Sequence, residues 1–430
     1  MKKIVSVLLV GVIFILLAVS SSISGVYASE NANRIEFLYN NNVFVYNLDK
    51  NKKTNTQFDI NYELNKYNRF GSEADRINLL KHMLAVGFEE KIAVQYLFPN
   101  LNKTVEKIKK NVQIAPKNAS LSINSNSANV FNIKNEVIGV VVDEVELYSQ
   151  ICEKFITGKA LTINLPIKKI KPEVLTADFK KFANLRSDFS TNFASSNADR
   201  KHNIKNALNA LNKVEILPNK VFSFNQTVGR RTVENGYRQA KIIVNDEFVD
   251  GLGGGVCQVS TTLYNSALLA GLEILEANKH SKQVGYVKYG FDAMVNFGSS
   301  DLKFRNNTSE KLTIITNYTP TSARIRIYGE EMQESYKLTN EIVSTTEPVE
   351  EVKYDTNLEY LNKVQYEDEF FYLKRATKGM EIKSYREKYV NGKAVEKELL
   401  RFDKYKAQNS IKVYGTKPRA VTELLPILSH

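Results

Sequence analysis

The stretch Asp250-Gly-Leu-Gly-Gly-Gly-Val-Cys-Gln-Val-Ser-Thr-Thr-Leu-Tyr-Asn265 constrains this chain more than any other. Three glycines, Gly253, Gly254 and Gly255, lead directly into Cys257, which opens a long apolar helix. Glycines adopt positive φ and let backbone approach backbone closely, so the turn can be tight. A thiol at a helix N-terminus lies near roughly half a positive charge from the macrodipole. That position lowers its pKa and favours the nucleophilic thiolate. Two readings of Cys257 stand side by side: a nucleophile, or a buried or ligand-contacting cysteine.

A nucleophilic cysteine needs a base within hydrogen-bond reach and a group that orients the base. His280 is the candidate base, and Asp292 or Asp301 supplies a carboxylate. The helix pattern is read as running to about Asn278, and a helix of about 20 residues is roughly 30 Å long. That length puts His280 at the far end from Cys257, where it would serve as a helix-end cation. Gln258, Ser260 and Thr261 fall in the first helical turn, beside amides without intrahelical partners. Such a turn receives carboxylate or phosphate, and the three side chains read equally well as caps. Gly253, Gly254 and Gly255 complete that anion-receptive turn. Asp301 and Arg305 are polar residues around an apolar strand, read as ligand contacts or as a salt bridge and turn cap.

The N-terminus speaks to compartment. Lys2 and Lys3 precede an apolar run from Ile4 to Val19, and Val26-Tyr27-Ala28 resembles a cleavage site before Ser29. This is the layout of a secretory signal peptide, with an uncleaved membrane anchor as the alternative. The chain is therefore expected outside the cytoplasm, in the cell envelope. Its formal charge of +12 suits anionic wall polymers or lipid headgroups, or simply a solvated, soluble surface. No zinc finger, helix-turn-helix or aromatic RNA-binding motif occurs, and export argues against nucleic acid. Only Cys152 and Cys257 are present, too few for a disulfide-stapled scaffold. Cys152 sits on the apolar side of a helix read from Val142 to Cys152, as a small buried hydrophobe. His82, His202, His280 and His430 are far apart, no Cys/His cluster has zinc spacing, and no metal or other cofactor is expected.

The 430 residues imply two to four domains of α+β character. A signal or anchor occupies 1–29 and a helical region 30–115. Short strands and an amphipathic helix fill 116–178. The segment 179–330 holds a helix capped by Asp199, a hairpin around Asn245-Asp246, and the glycine turn with its helix. Strands are then expected over Gln283 to Val287 and Ala293 to Phe297. The β-rich region 335–415 contains a hairpin with Asn391-Gly392 as a type I′ turn, and 416–430 is a tail.

Several separated motifs resemble the VanW-like family, named from vancomycin-resistance clusters. They are Val221-Phe-Ser-Phe-Asn-Gln-Thr-Val-Gly229, Gly236-Tyr237, the glycine turn through Asn265, His280-Ser281, Asp292-Ala293 and Asp301-Leu-Lys-Phe-Arg-Asn-Asn307. The region 116–178 is similar to the peptidoglycan-binding-like domain that often precedes VanW-like domains. Ala376-Thr-Lys-Gly379, the Asn391-Gly392 hairpin and Tyr414-Gly-Thr-Lys417 resemble the glycine-five domain, which implies binding of N-acetylglucosamine. Together the resemblances imply a cell-wall protein with peptidoglycan as ligand. Two functions follow. One is a cysteine-dependent amidase, peptidase or transpeptidase acting through Cys257, with His280 and Asp292. The other is a non-catalytic wall-binding scaffold or muropeptide sensor.

Overall fold

A computed structural model describes residues 34–47, 72–98, 100–159, 161–244 and 247–419. The apolar segment 1–29, the tail beyond 419 and the turn residues Asn245 and Asp246 lie outside the described residues. The fold is α+β and divides into two compact units, one of residues up to 120 and 135–175, the other of 121–134 and 176 onward.

In the first unit, β1 (Arg34–Tyr39) and β2 (Asn42–Asn47) form an antiparallel hairpin. Asn40 and Asn41 both take positive φ at its tip, where asparagine is tolerated. This hairpin stands in a region read from sequence as helical. Helices α1 (Glu73–Ala85), α2 (Glu90–Leu97) and α3 (Leu101–Val112) follow. The hairpin of β3 (Ser120–Ile123) and β4 (Phe131–Lys134) belongs to the second unit. The first unit then resumes with β5 (Gly139–Val142), α4 (Glu144–Ile156), β6 (Thr162–Asn164) and β7 (Ile167–Ile170). Strand β6 adds to β1 in parallel, and β5 pairs with β7. Cys152 on α4 is buried in this core, where burial pushes its thiol up to about 12.

The second unit continues with α5 (Thr176–Lys180), β8 (Asn184–Asn192), α6 (Ala198–Leu211), β9 (Val214–Ile216), β10 (Val221–Ser223) and α7 (Phe224–Val228). The cap of α6 is Asn197, not Asp199, whose carboxylate pairs with Arg238 at 3.1 Å. Strands β11 (Gln239–Val244) and β12 (Glu247–Leu252) form the expected hairpin. After the glycine turn come α8 (Val256–Leu269), β13 (Glu273–Glu276), β14 (Lys303–Arg305), β15 (Leu312–Tyr318) and β16 (Ser322–Gly329). A four-stranded sheet runs β8-β16-β15-β9, and a smaller one runs β10-β14-β13.

Helix α8 is buried nearly all round, against β8, β16 and α6. Val259, Leu263, Ala267 and Leu268 are fully buried, each larger side chain worth about 1.5–3 kcal/mol of burial. Its polar residues are satisfied inward: Thr262 meets Thr191 at 2.8 Å, and Ser266 reaches Ser187 at 3.0 Å and the Ile325 carbonyl at 2.9 Å. Among the described residues no helix is long and apolar enough to cross a membrane.

The C-terminal part holds β17 (Glu334–Thr346), β18 (Glu350–Tyr354), β19 (Phe370–Lys374), β20 (Gly379–Val390), β21 (Lys393–Tyr405) and β22 (Ser410–Tyr414). They make two three-stranded sheets, β17-β20-β21 and β18-β22-β19. Strands β20 and β21 turn at Asn391 (φ 50°) and Gly392 (φ 76°), as the type I′ pattern predicts.

Candidate active site around Cys257

The position of His280 is decided by where α8 stops. Gly271 takes φ +74° and closes a Schellman motif: Gly271 N–H donates to Leu268 O, and Leu272 N–H to Ala267 O. The helix therefore ends at Leu269, well short of Asn278, and is about 21 Å long. Residues 272–280 run back beside it in extended form and return His280 to the Cys257 end. The long-helix reading is corrected, and the objection to His280 disappears with it. The segments 283–287 and 293–297, read as strands, are instead irregular, held by isolated bridges such as Asn278 with Met294.

Cys257, His280 and Asp292 form a hydrogen-bonded chain. His280 bonds the Cys257 side chain on one side. On the other, its Nδ1 lies 2.7 Å from Asp292 Oδ2, and its backbone N–H donates to the same oxygen at 2.6 Å. Nε2 is therefore the ring nitrogen left for the sulfur. His280 and Asp292 are buried, while Cys257 is partly exposed.

The charges reinforce one another. Burial alone would push the thiol up, but the His280 hydrogen bond and charge outweigh it and hold Cys257 below its ordinary value. Burial would likewise lower His280, yet Asp292 and Cys257 raise it to about 9. Burial would raise the Asp292 carboxyl, and the His280 bond and Arg401 charge keep it below the usual carboxylate range. The arrangement sets a lowered thiol, which also donates to the Val295 carbonyl at 3.4 Å, beside a raised imidazole and a carboxylate.

Asp292 is braced in turn from β21. Arg401 donates to Asp292 Oδ1 at 2.8 Å and to its carbonyl at 3.0 Å, and Tyr405 Oη donates to Oδ1 at 3.3 Å. The Arg401 Nε also bonds Asp403 Oδ2 at 2.8 Å. Arg401, Asp403 and Tyr405 alternate along the strand, so period two puts all three on one face. That alternation is the signal for them in the sequence.

Beneath Asp292, Ser260 Oγ donates to Ala293 O at 2.5 Å, and Thr261 Oγ1 accepts from Ala293 N at 3.0 Å. These two side chains fasten the Asp292 segment to the first turns of α8. A cavity of about 760 Å³ opens over Cys257, and Gly253, Gly254, Gly255, Gln258 and His280 line it. Ser260, Thr261, Asp301 and Arg305 are not among its lining residues. Asp301 accepts from Ser223 Oγ at 2.5 Å and Asn225 N at 2.9 Å, and Arg305 pairs with Glu273 at 2.9 Å. Gln258 donates to the Asn192 carbonyl at 2.9 Å and accepts from Arg200 at 2.8 Å. The glycine turn is held by buried Asn203, whose amide reaches Gly254 O at 3.1 Å and Arg238 O at 2.9 Å. Among the described residues no group of three metal-binding side chains occurs.

Both cysteines are free. Iodoacetamide at pH 7 is expected to label Cys257 at least about tenfold faster than Cys152, because only Cys257 combines exposure with a depressed thiol. Peptide mapping after a timed pulse measures this, and equal labelling would contradict the charge arrangement.

Residues 199–328 match the family model described as VanW like protein. Over 174 residues the chain is 38% identical to YoaR, an uncharacterized protein of Bacillus subtilis, covering 40% of this chain and 56% of the relative. Over 112 residues it is 31% identical to the vancomycin B-type resistance protein VanW of Enterococcus faecalis, covering 25% of this chain and 40% of the relative. The chain thus spans about half the length of these curated relatives. Among solved structures, it is similar to the IgA1 protease G5 domain at 17% identity and a TM-score of 0.14, covering 21% of this chain and 99% of that one. The glycine turn, the cavity, Cys257, His280 and Asp292 all fall inside the matched span, so the VanW-like part of the chain is the part that carries the site.

Proposed function

We propose that this is a cell-envelope protein whose Cys257 takes an acyl group from a peptidoglycan stem peptide. The observation that carries the proposal is the hydrogen-bonded chain from Cys257 through His280 to Asp292 at the floor of a cavity. The envelope reading is supported by the likeness to a vancomycin B-type resistance protein and by the basic charge.

In the first step the Cys257 thiolate attacks the carbonyl carbon of an amide, and a C–S bond forms. The amides of Gly254, Gly255 and Cys257 are the donors offered to the oxyanion, since those of Gly253, Val256 and Gln258 already bond backbone carbonyls. As the tetrahedral intermediate collapses, the C–N bond breaks and the Nε2 proton of His280 passes to the leaving amine. Asp292 holds the other ring nitrogen and fixes the tautomer. An incoming amine or water then gives its proton to His280 and displaces the sulfur, releasing a new amide or an acid.

Incubation of the full chain with stem peptides is expected to give an acyl adduct on Cys257 by mass spectrometry. The adduct should be labile to hydroxylamine and absent from Cys257→Ala. Peptide binding without any adduct would replace this reading with that of a non-catalytic wall-binding scaffold.

A further inference from the structure

The cavity over Cys257 holds more positive charge than its own residues neutralise. Arg200, Arg230, Arg231 and Lys241 line it, and no aspartate or glutamate is among the described lining residues. Lys241 is matched by Asp250 at 3.0 Å. Arg200 and Arg231 bond only neutral groups. Arg200 donates to Gln258 Oε1 at 2.8 Å and Ser196 Oγ at 3.0 Å. Arg231 uses Nη1 on Asn225 Oδ1 at 2.7 Å and the Gly229 carbonyl at 3.0 Å, while its Nη2 is buried without a hydrogen-bond partner. The Gln283 Nε2, on the same cavity, is also buried without a partner. Buried donors and charges of this kind are costly unless something pairs with them.

The glycine turn leaves room for the stems of Arg200 and Arg231. A Cβ on Gly253 would lie 2.8 Å from the Arg231 stem, and one on Gly255 would lie 3.1 Å from Arg200 Cγ. Both glycines have positive φ, and both make room for an arginine stem beside Cys257. The turn therefore seats a thiol and two guanidinium groups together. Guanidinium is the side chain best matched to a carboxylate.

We propose that Arg200 and Arg231 form a carboxylate subsite, so that the acyl donor is a peptide with a free carboxylate close to the carbonyl attacked by Cys257. The proposal deepens the acyl-transfer reading and rests on it for the identity of the donor. The subsite itself is testable without turnover.

The test compares alkylation of Cys257 in the full chain by iodoacetate and by iodoacetamide, which differ in the carboxylate. At low salt the iodoacetate-to-iodoacetamide rate ratio is expected to exceed that of free glutathione at least about tenfold. It should fall toward the glutathione value in Arg231→Gln and Arg200→Gln and be largely kept in Arg231→Lys. A wild-type ratio no higher than that of glutathione overturns the proposal, whatever the variants do. So does a ratio unchanged in both glutamine variants. In a second arm, a stem tetrapeptide should protect Cys257 from iodoacetamide at least about tenfold better than the same peptide with its carboxylates converted to carboxamides; equal protection overturns the proposal. A retained iodoacetate preference with no acyl adduct from any stem peptide would strike the acyl-transfer reading and leave the subsite standing.

Discussion

Replacing Asp292 by asparagine is expected to slow acyl transfer by Cys257 roughly 10³-fold or more, by analogy with loss of the carboxylate in other nucleophile–histidine–carboxylate sites. Asp292 Oδ2 takes hydrogen bonds from both the ring and the backbone of His280. An amide supplies no charge to hold the imidazolium, and it leaves Arg401 facing a neutral group. The pH dependence carries the sharper signature. His280 is raised to about 9, so in the wild type its proton remains available to the leaving amine up to that pH. Acyl transfer should therefore fall as pH rises through about 9, while plain alkylation of the thiolate does not fall. In Asp292→Asn the histidine moves down toward its ordinary value near 6.5, and the alkaline fall of acyl transfer moves down with it. A pH–rate profile of adduct formation measures this. An alkaline limb at the same pH in both proteins would remove Asp292 from the proton-handling role.

Replacing Arg401 by methionine is the second large effect. Arg401 and Asp292 are both mostly out of water, and Arg401 also neutralises buried Asp403. Removing one member of such a buried pair leaves carboxylates uncompensated, at about 3 kcal/mol or more of stability. Urea denaturation should report that loss. Acyl transfer is expected to drop about 100-fold, through kcat rather than KM, because Arg401 does not line the cavity. Arg401→Lys should recover only part, since one ammonium cannot reproduce the guanidinium fork that bonds Asp292 and Asp403 at once. A variant of normal kcat would show that β21 packs against the site without positioning it.

The glycine turn, the helix behind it and the α+β character were legible because they rest on local rules. Positive φ at Gly253 and Gly255 and the apolar periodicity of α8 each need only neighbouring residues. His280 was misplaced for an equally local reason. Gly271 is the helix stop, and a helix pattern carried past it lengthens α8 and throws its return strand in the wrong direction. Ser260 and Thr261 look like anion-binding first-turn residues in any single sequence. Only packing shows that the Ala293 backbone already occupies them. The arginines were harder still. Nothing near Arg200 or Arg231 in sequence says that tertiary contacts bury it beside a thiol. The β1–β2 hairpin, by contrast, was readable from Asn40-Asn41 between two alternating runs.

The brace from β21 has a consequence for how the chain is made. Cys257, the glycine turn and His280 are synthesised long before Arg401 and Tyr405. Until that strand exists, Asp292 lacks the guanidinium charge that, after the His280 hydrogen bond, lowers its carboxyl. A chain that ends before β21 therefore offers Asp292 its two bonds from His280 but neither of those from Arg401 and Tyr405.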